Sequence, residues 1–391
     1  MRILYVASGM QIPGSHGGSV HALELCRALS RAGHEVHLAA LPPDNPANAA
    51  VDLDGVQIHP LRTRPLIEQF DMLHWREVKT LAGQIGPDIV VERFYTFGGR
   101  GLIAASQLGL PSVLEINSPA LPYPGSWRDR LDAATLIRPI NRWRQWMLRQ
   151  ASRYYATSDL LVPEPLRDRT TVIVNGVDCE LFRPGAPAPD EGPLKLVHIS
   201  SFRAWHGTVD LARAFGAAVS AGADLEMICL GEGPELERAR QAAADAGAGG
   251  RIKFLGAVQH ADVPDYLAAA HVGLAPFSPD QFRALELGWF WSPIKLFEYM
   301  AAGLAVVTAD IAELRQLMPE DAAQFYPPGD IEALATMLTA LHEVRPAVRA
   351  MGETGRALAE DRFTWDHQAM KVVGVLNQAI AATDRRGLRT P

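Results

Sequence analysis

Short continuous apolar runs alternate with stretches of helical period along the chain. Ile3–Ala7 is the first such run. A Gly/Ser loop follows, then a helix whose apolar face uses Ala22, Leu25, Cys26 and Leu29 and which stops near Gly33. Val36–Ala40, Ile89–Val91 and Val113–Ile116 read as further strands, and continuous apolar runs of this length suit a parallel sheet covered on both faces. A second series starts at Leu194–Ile199 and continues with Leu225–Leu230, Ile252–Leu255, Val272–Ala275, Ala305–Thr308 and Gln324–Tyr326. Helical stretches such as Pro234–Ala246 and Pro293–Ala302 separate them. Two successive β-α-β series predict an α/β protein of two doubly wound, Rossmann-like domains, with a barrel as the alternative topology.

Length and composition agree with two domains. A chain of 391 residues exceeds one ordinary core, and 48% hydrophobic with 21% charged residues is the balance of a globular protein. The stretch Arg183–Pro193 is rich in Pro and Gly and has no periodicity, so it reads as a linker. The expected organisation is a first domain over 1–183, a linker over 184–193 and a second domain over 194–365. A C-terminal helix and tail over 366–391 is expected to pack back on the first domain. Two such domains are expected to face each other across a cleft, and sheets of this kind bind ligands beyond the carboxyl ends of their strands.

Charge narrows the partners. A net charge of −7 gives no whole-protein attraction to nucleic acid or to anionic membranes. Cys26, Cys179 and Cys229 are far apart, with no spacing of a zinc site or redox motif. The N-terminal run is too short for a signal-peptide core and no segment approaches a membrane span, so the expected location is the cytoplasm. Between Trp127 and Arg153 lies a stretch rich in Arg and Trp, including Arg138, Arg142, Trp143, Arg144, Trp146 and Arg149. It reads as a packed helix with a solvated basic face, or as a contact for a membrane surface or an anionic acceptor, and Pro139 interrupts any longer amphipathic helix there.

The richest chemistry lies in Ser292-Pro293-Ile294-Lys295-Leu-Phe-Glu298. Pro293 stands where a first-turn residue is favoured, and the free N–H groups of a helix start attract phosphate. Lys295 adds a full charge there, and Glu298, near one helix face with it, can accept hydrogen bonds from two ribose hydroxyls. The alternative is a surface helix with an ion pair. Gly17-Gly18 suits close approach of backbone to a ligand or a plain turn. That loop lacks the spacing of a dinucleotide fingerprint.

Asn175-Gly-Val-Asp-Cys-Glu-Leu-Phe-Arg-Pro184 closely resembles a segment of glycosyltransferase family 4, the large group of retaining enzymes with the GT-B fold. Other pieces agree in order over most of the chain: Gly17-Gly18, Ser201–Gly207, Gly231-Glu-Gly233-Pro234, Phe254-Leu255-Gly256, Lys295–Gly303 and Phe363–Asp366. The resemblance implies that Gly17, Gly18, Ser201, Gly231, Gly233, Phe254, Leu255, Ser292, Pro293, Ile294 and Glu298 line a donor site. It puts Ser201 and His206 where many relatives have an Arg and a Lys on the diphosphate, with Arg203 close enough to restore a bidentate grip. His206 is a weaker anchor, charged mainly below its reference pKa of about 6.5 and raised by a phosphate neighbour. Of the family's two paired glutamates, Glu298 matches the second, while Phe290 stands at the first, which is associated with the donor sugar. Glu286 is a candidate to compensate. Asn117 matches a family histidine on the acceptor side, and Glu115 is a carboxylate near the same strand end, with a solvated or ion-paired residue as its other reading.

The implied activity is transfer of a glycosyl group, with retained configuration, from a UDP- or GDP-type sugar to a hydroxyl of an unidentified acceptor. The candidate catalytic groups are Arg203, Lys295, His206, Asn117 and Glu115, the cations stabilising charge on the leaving diphosphate. No metal cluster and no cofactor is expected. Three alternatives fit the same pattern: a nucleotide-sugar epimerase of similar fold, a nicotinamide oxidoreductase, against which the glycine spacing argues, and a non-catalytic nucleotide-sugar binder.

Overall fold

The computed structural model describes residues 1–14, 17–43, 53–62, 70–120, 123, 126–135, 138–186, 191–248 and 250–387. Of the expected linker and tail, residues 187–190 and 388–391 lie outside the described residues. The chain forms two compact units. The first comprises Met1–Gly176, Phe290–Ser292 and Trp365–Pro391, and the second comprises Val177–Trp289 and Pro293–Thr364. The break thus falls at Gly176/Val177, before the Pro/Gly-rich stretch, because Val177 bridges to Thr364 and donates its N–H to the Phe363 carbonyl at 2.8 Å.

In the first unit the strands are β1 (Arg2–Gln11), β2 (Glu35–Leu41), β3 (Gln57–Pro60), β4 (Ile89–Arg93), β5 (Ser112–Ile116), β6 (Arg153–Ala156) and β7 (Thr170–Val172). They form one parallel sheet in the order β3-β2-β1-β4-β5-β6-β7. Its helices are α1 (Gly17–Arg31), α2 (Trp75–Ile85), α3 (Arg100–Leu108), α4 (Trp127–Ala134), α5 (Pro139–Gln150) and the C-terminal helix, Trp365–Gly387. Alternate residues of β1 enter opposite layers. Ile3, Tyr5 and Ala7 pack with Leu25 and Leu29 of α1 and with the C-terminal helix, whereas Leu4 and Val6 pack with α2 and α3. The C-terminal helix contributes Trp365, Ala369, Val372, Leu376 and Ala379, an i, i+3/i+4 stripe that buries one face.

In the second unit the strands are β8 (Leu194–Ile199), β9 (Leu225–Leu230), β10 (Ile252–Gly256), β11 (Val272–Ala275), β12 (Ala305–Ala309) and β13 (Ala323–Tyr326). They form a parallel sheet in the order β10-β9-β8-β11-β12-β13. Helices α6 (Thr208–Ser220), α7 (Leu236–Asp245), α8 (Val263–Ala268), α9 (Ile294–Ala301), α10 (Ala312–Leu317), α11 (Ile331–Glu343) and α12 (Arg345–Arg362) connect and cover it; the C-terminal helix is α13. Strand order reverses between β1 and β4 in one sheet and between β8 and β11 in the other. Such reversals open a crevice at the carboxyl ends of the strands.

Strands β3, β6 and β7 extend the sequence reading, which missed them. Helix α5 starts at Pro139, and its Ile140, Arg144, Met147 and Leu148 are buried while Arg138, Arg142 and Arg149 are exposed. Trp143 donates its indole N–H to the Gly98 carbonyl at 3.1 Å. Over Pro139–Gln150 the Arg/Trp-rich stretch is a helix with one packed face and an exposed basic face. No helix among the described residues is long and apolar enough to cross a membrane.

Candidate functional site

In the second unit the crevice at the strand reversal is built from the loops that leave β8 and β11. The β8 loop, Ser200–Gly207, is drawn tightly over its neighbours. Phe202 is fully buried at φ 39°, a left-handed conformation that costs a non-glycine residue of order 1 kcal/mol or more and persists only under surrounding constraint. The constraint is visible. Phe202 N–H donates to Ser200 Oγ at 2.9 Å, and its ring packs near His198 and Phe254. Gly231 and Gly233, at φ 120° and 155°, pass so close that a Cβ would lie 1.8 Å from the Ser200 carbonyl oxygen and 2.0 Å from that of Ser201. These two glycines thus serve to seat the Ser200–Arg203 turn.

Helix α9 is held against the same crevice by Tyr299. Its ring covers Gly273 of β11, where a Cβ would come within 2.4 Å, and its hydroxyl accepts the Ile199 N–H at 2.9 Å. One turn earlier the helix carries Lys295. The Lys295 ammonium is buried, makes no hydrogen bond, and lies over the Phe277 ring at 5.3 Å from the centroid. Burial pushes it down to about 7, against the pull of Glu298. His206 shares a hydrogen bond with Ser200 Oγ at 2.9 Å. Burial, then the charges of Lys295, His198 and Arg203, push His206 down to about 2. His198 is fully buried between the Leu274 carbonyl and Thr208 Oγ1, each at 2.9 Å, and is pushed down to about 3 by burial and by Lys295. Burial and the neighbouring cations thus favour the neutral form of His206 in the free crevice, where the sequence reading expected a charge below about 6.5.

The remaining donor candidates take different places. Arg203 is exposed, its guanidinium 5.5 Å from the Trp205 ring centre. Ser201 is exposed beside His206, at 3.4 Å from Nδ1. Pro293 caps α9 from an extended conformation, and Ile294 is the first helical residue. Glu298 is buried and receives His260 Nε2 at 3.1 Å. Phe254 packs against the core of the second unit, and Leu255 is exposed. Glu286 stays exposed, 3.8 Å from Arg283.

In the first unit Gly17 and Gly18 open α1, so they are first-turn residues of a helix where the sequence placed a loop. A Cβ on Gly18 would meet Met10 Cε at 2.9 Å and Arg93 Nη2 at 3.5 Å. Glu115 is fully buried and ion-paired. Its oxygens receive the Arg93 guanidinium, the Tyr5 and Tyr155 hydroxyls and the Asn117 amide, with His21 Nε2 at 2.9 Å. Burial alone would raise its pKa, but Arg93 first, then His21 and Tyr5, hold it well below the usual carboxylate range. Of the two readings the sequence left open, the geometry gives Glu115 the ion-paired one. Phe290 is buried and its carbonyl accepts the Thr157 hydroxyl at 3.2 Å. Ser292 is buried, its Oγ accepting the Asn175 N–H at 2.8 Å. Sequence reasoning passed over His21, Asn175, Ser200, His198, His260 and Phe277. Asn175 lay inside a recognised motif, but nothing in the sequence names its partner 117 positions away.

Among the described residues no group of three His, Cys, Asp or Glu side chains is placed to hold a metal ion. The crevice of the second unit presents a buried cation without a hydrogen-bond partner, two serines and a helix start, a set suited to an anion.

Known proteins share this architecture. The family model for Glycosyltransferase Family 4 matches residues 15–181, and that for Glycosyl transferases group 1 matches residues 193–343. The chain is 27% identical over 363 residues to phosphatidyl-myo-inositol mannosyltransferase of Mycolicibacterium smegmatis, covering 85% of this chain and 82% of the relative. It is 24% identical over 417 residues to D-inositol 3-phosphate glycosyltransferase of Acidothermus cellulolyticus, covering 96% and 89%. Sucrose-phosphate synthase from Thermosynechococcus elongatus superimposes with a TM-score of 0.74 at 19% identity, over 98% of this chain and all of that one. HepE of Anabaena in complex with UDP-glucose gives 0.73 at 18% identity, over 97% and 100%. With two parallel sheets of this order and both halves matched, the chain is a glycosyltransferase, belonging to family 4 and having the GT-B fold.

Proposed function

We propose that the protein transfers a sugar from a nucleoside diphosphate sugar to a hydroxyl, with retention of anomeric configuration and without a metal ion. The observation that carries this is the buried Lys295 ammonium beside the β8 loop, with no hydrogen bond of its own. Leaving a buried cation unpaired is costly, and an anionic ligand at the crevice removes the cost. The first N–H groups of α9 add donors for the same anion, and Glu298 supplies a carboxylate one turn on for ribose hydroxyls. Charge developing on the leaving diphosphate would be stabilised by Lys295, by Arg203 from the exposed side of the loop and by the helix start. Neutral His206 contributes a hydrogen bond, not a charge.

The relatives support this reading through their names, which include mannosyltransferases and a structure bound to UDP-glucose. The names of two of them point to inositol-containing acceptors. The acceptor of this chain is proposed only as a hydroxyl compound, and its place of action as the cytoplasm. A thermal-shift screen against nucleoside diphosphates and their sugars tests the donor. A raised Tm with UDP or GDP is expected; no shift with any nucleotide would sink the proposal. Release of a free nucleotide-sugar epimer from donor alone would establish the epimerase instead.

A further inference from the structure

The polar network around Glu115 reaches Ser292 through two residues that no step above uses. His21, on α1 and buried, turns both ring nitrogens toward oxygens. Nε2 lies 2.9 Å from Glu115 Oε1, off the line of a hydrogen bond, and Nδ1 lies 2.6 Å from Asn175 Oδ1. The other contact of the Asn175 amide fixes its orientation. Nδ2 donates to the Ser292 carbonyl, which can only accept. Oδ1 is therefore the atom facing His21, and His21 Nδ1 is the donor. Asn175 also gives its backbone N–H to Ser292 Oγ at 2.8 Å. One residue thus grips Ser292 by side chain and main chain together. The edge of Trp365 closes over the His21 ring, with centroids 5.4 Å apart.

We propose that His21 is a positioning residue for the nucleotide-binding segment. It holds the Asn175 amide in the one orientation that clamps Ser292, and so orders the chain where it enters α9. The proposal rests on the nucleotide-sugar reading. Segments ordered before binding cost the ligand less than segments it must order itself. Loss of the clamp is expected to weaken binding roughly tenfold.

The test uses the full chain in three single variants, His21→Leu, His21→Gln and Ser292→Ala, and in the double variant His21→Leu/Ser292→Ala. Calorimetric affinity for UDP and GDP is measured, with hydrogen exchange at Trp291, Ser292 and Ile294. His21→Leu is expected to bind about tenfold more weakly and to exchange faster at those amides. His21→Gln, whose amide can still donate to Asn175 Oδ1, restores most of both. The His21→Leu/Ser292→Ala double variant binds no more weakly than the weaker single variant. Additive losses, or native affinity and exchange in His21→Leu, overturn the proposal. Should His21→Leu fail to fold, Asn175→Asp replaces it: the carboxylate cannot donate to the Ser292 carbonyl, and native affinity there overturns the proposal equally. If the native chain binds neither nucleotide, the donor reading falls and this inference with it. If the native chain binds and the variants bind alike, the inference alone falls.

Discussion

The ammonium of Lys295 lies over the face of Phe277, 5.3 Å from the ring centre, so the ring quadrupole and the charge of Glu298 compensate it in part. An anion at that place would gain a charge-assisted bond of about 2 kcal/mol. Lys295→Ala is therefore expected to weaken nucleoside diphosphate binding by roughly thirtyfold, read by calorimetry near neutral pH. Unchanged affinity would remove Lys295 from the site.

The same residue sets a pH dependence. Burial pushes Lys295 down to about 7, so above that pH the free protein holds it neutral. Diphosphate binding favours the charged form, so affinity is expected to fall as pH rises above about 7, and binding at higher pH takes up a proton. Calorimetry in two buffers of different ionisation enthalpy measures that uptake. The stability effect has the opposite sense. A lysine charged in the unfolded chain up to its ordinary 10.5 but depressed in the fold costs stability below about 7, and the cost is relieved as pH rises toward 10.5. Lys295→Met should accordingly raise Tm at pH near 7, and the gain should shrink toward pH 10.

Gly233 offers a steric test. With a Cβ 2.0 Å from the Ser201 carbonyl oxygen, Gly233→Ala must displace the turn that carries Ser201, Phe202 and His206. A loss of more than about 1 kcal/mol in stability is expected, together with weaker nucleotide binding. Gly374, exposed in the middle of α13 with open space around it, is the control. Gly374→Ala should stabilise by about 1 kcal/mol in urea unfolding, because alanine is the better helix former.

Glu115 neutralises Arg93 in a site without solvent. Glu115→Gln leaves that guanidinium unpaired and is expected to cost about 3–5 kcal/mol. Because the folded state holds this carboxyl below its usual range, its stabilising effect is present above the pKa of an unfolded glutamate and is lost as pH falls through the depressed folded value. Acid unfolding midpoints of the native chain and of Glu115→Gln should converge at low pH, and parallel curves would contradict the assignment.

What could be read in advance follows the range of the interactions. Val272–Ala275 was legible residue for residue, because a parallel strand buried on both faces is apolar throughout, and Leu194–Ile199 was legible as an otherwise apolar run that Lys195 and His198 interrupt. Arg153–Ala156 and Thr170–Val172 were not, being short and partly polar. Lys295 and Glu298 were found because one helix turn holds both. The partners of Glu115 come from positions 5, 21, 93, 117 and 155, and only folding of β1, α1, β4, β5 and β6 brings them to one carboxylate. Likewise the linker-like composition of Arg183–Pro193 was visible, while the Val177–Thr364 bridge that sets the break between compact units was not.

That helix α13 belongs to the first unit has a consequence for biosynthesis. Trp365 and the stripe after it fill the layer above β1, yet in the chain they come after Val177–Thr364, nearly all of the second unit. A ribosome that has released residues 1–176 has produced a sheet with one face covered only in part, by α1, and the second unit must follow before α13 can complete the cover. Truncation at Thr364 should thus leave a dye-binding apolar surface on the first unit, and Trp365→Ala should cost the full-length chain about 3–5 kcal/mol. The sheet whose strands precede the second unit is thus finished only after that unit has been made, so through that interval a nascent chain depends for protection on whatever shields exposed apolar surface in the cell.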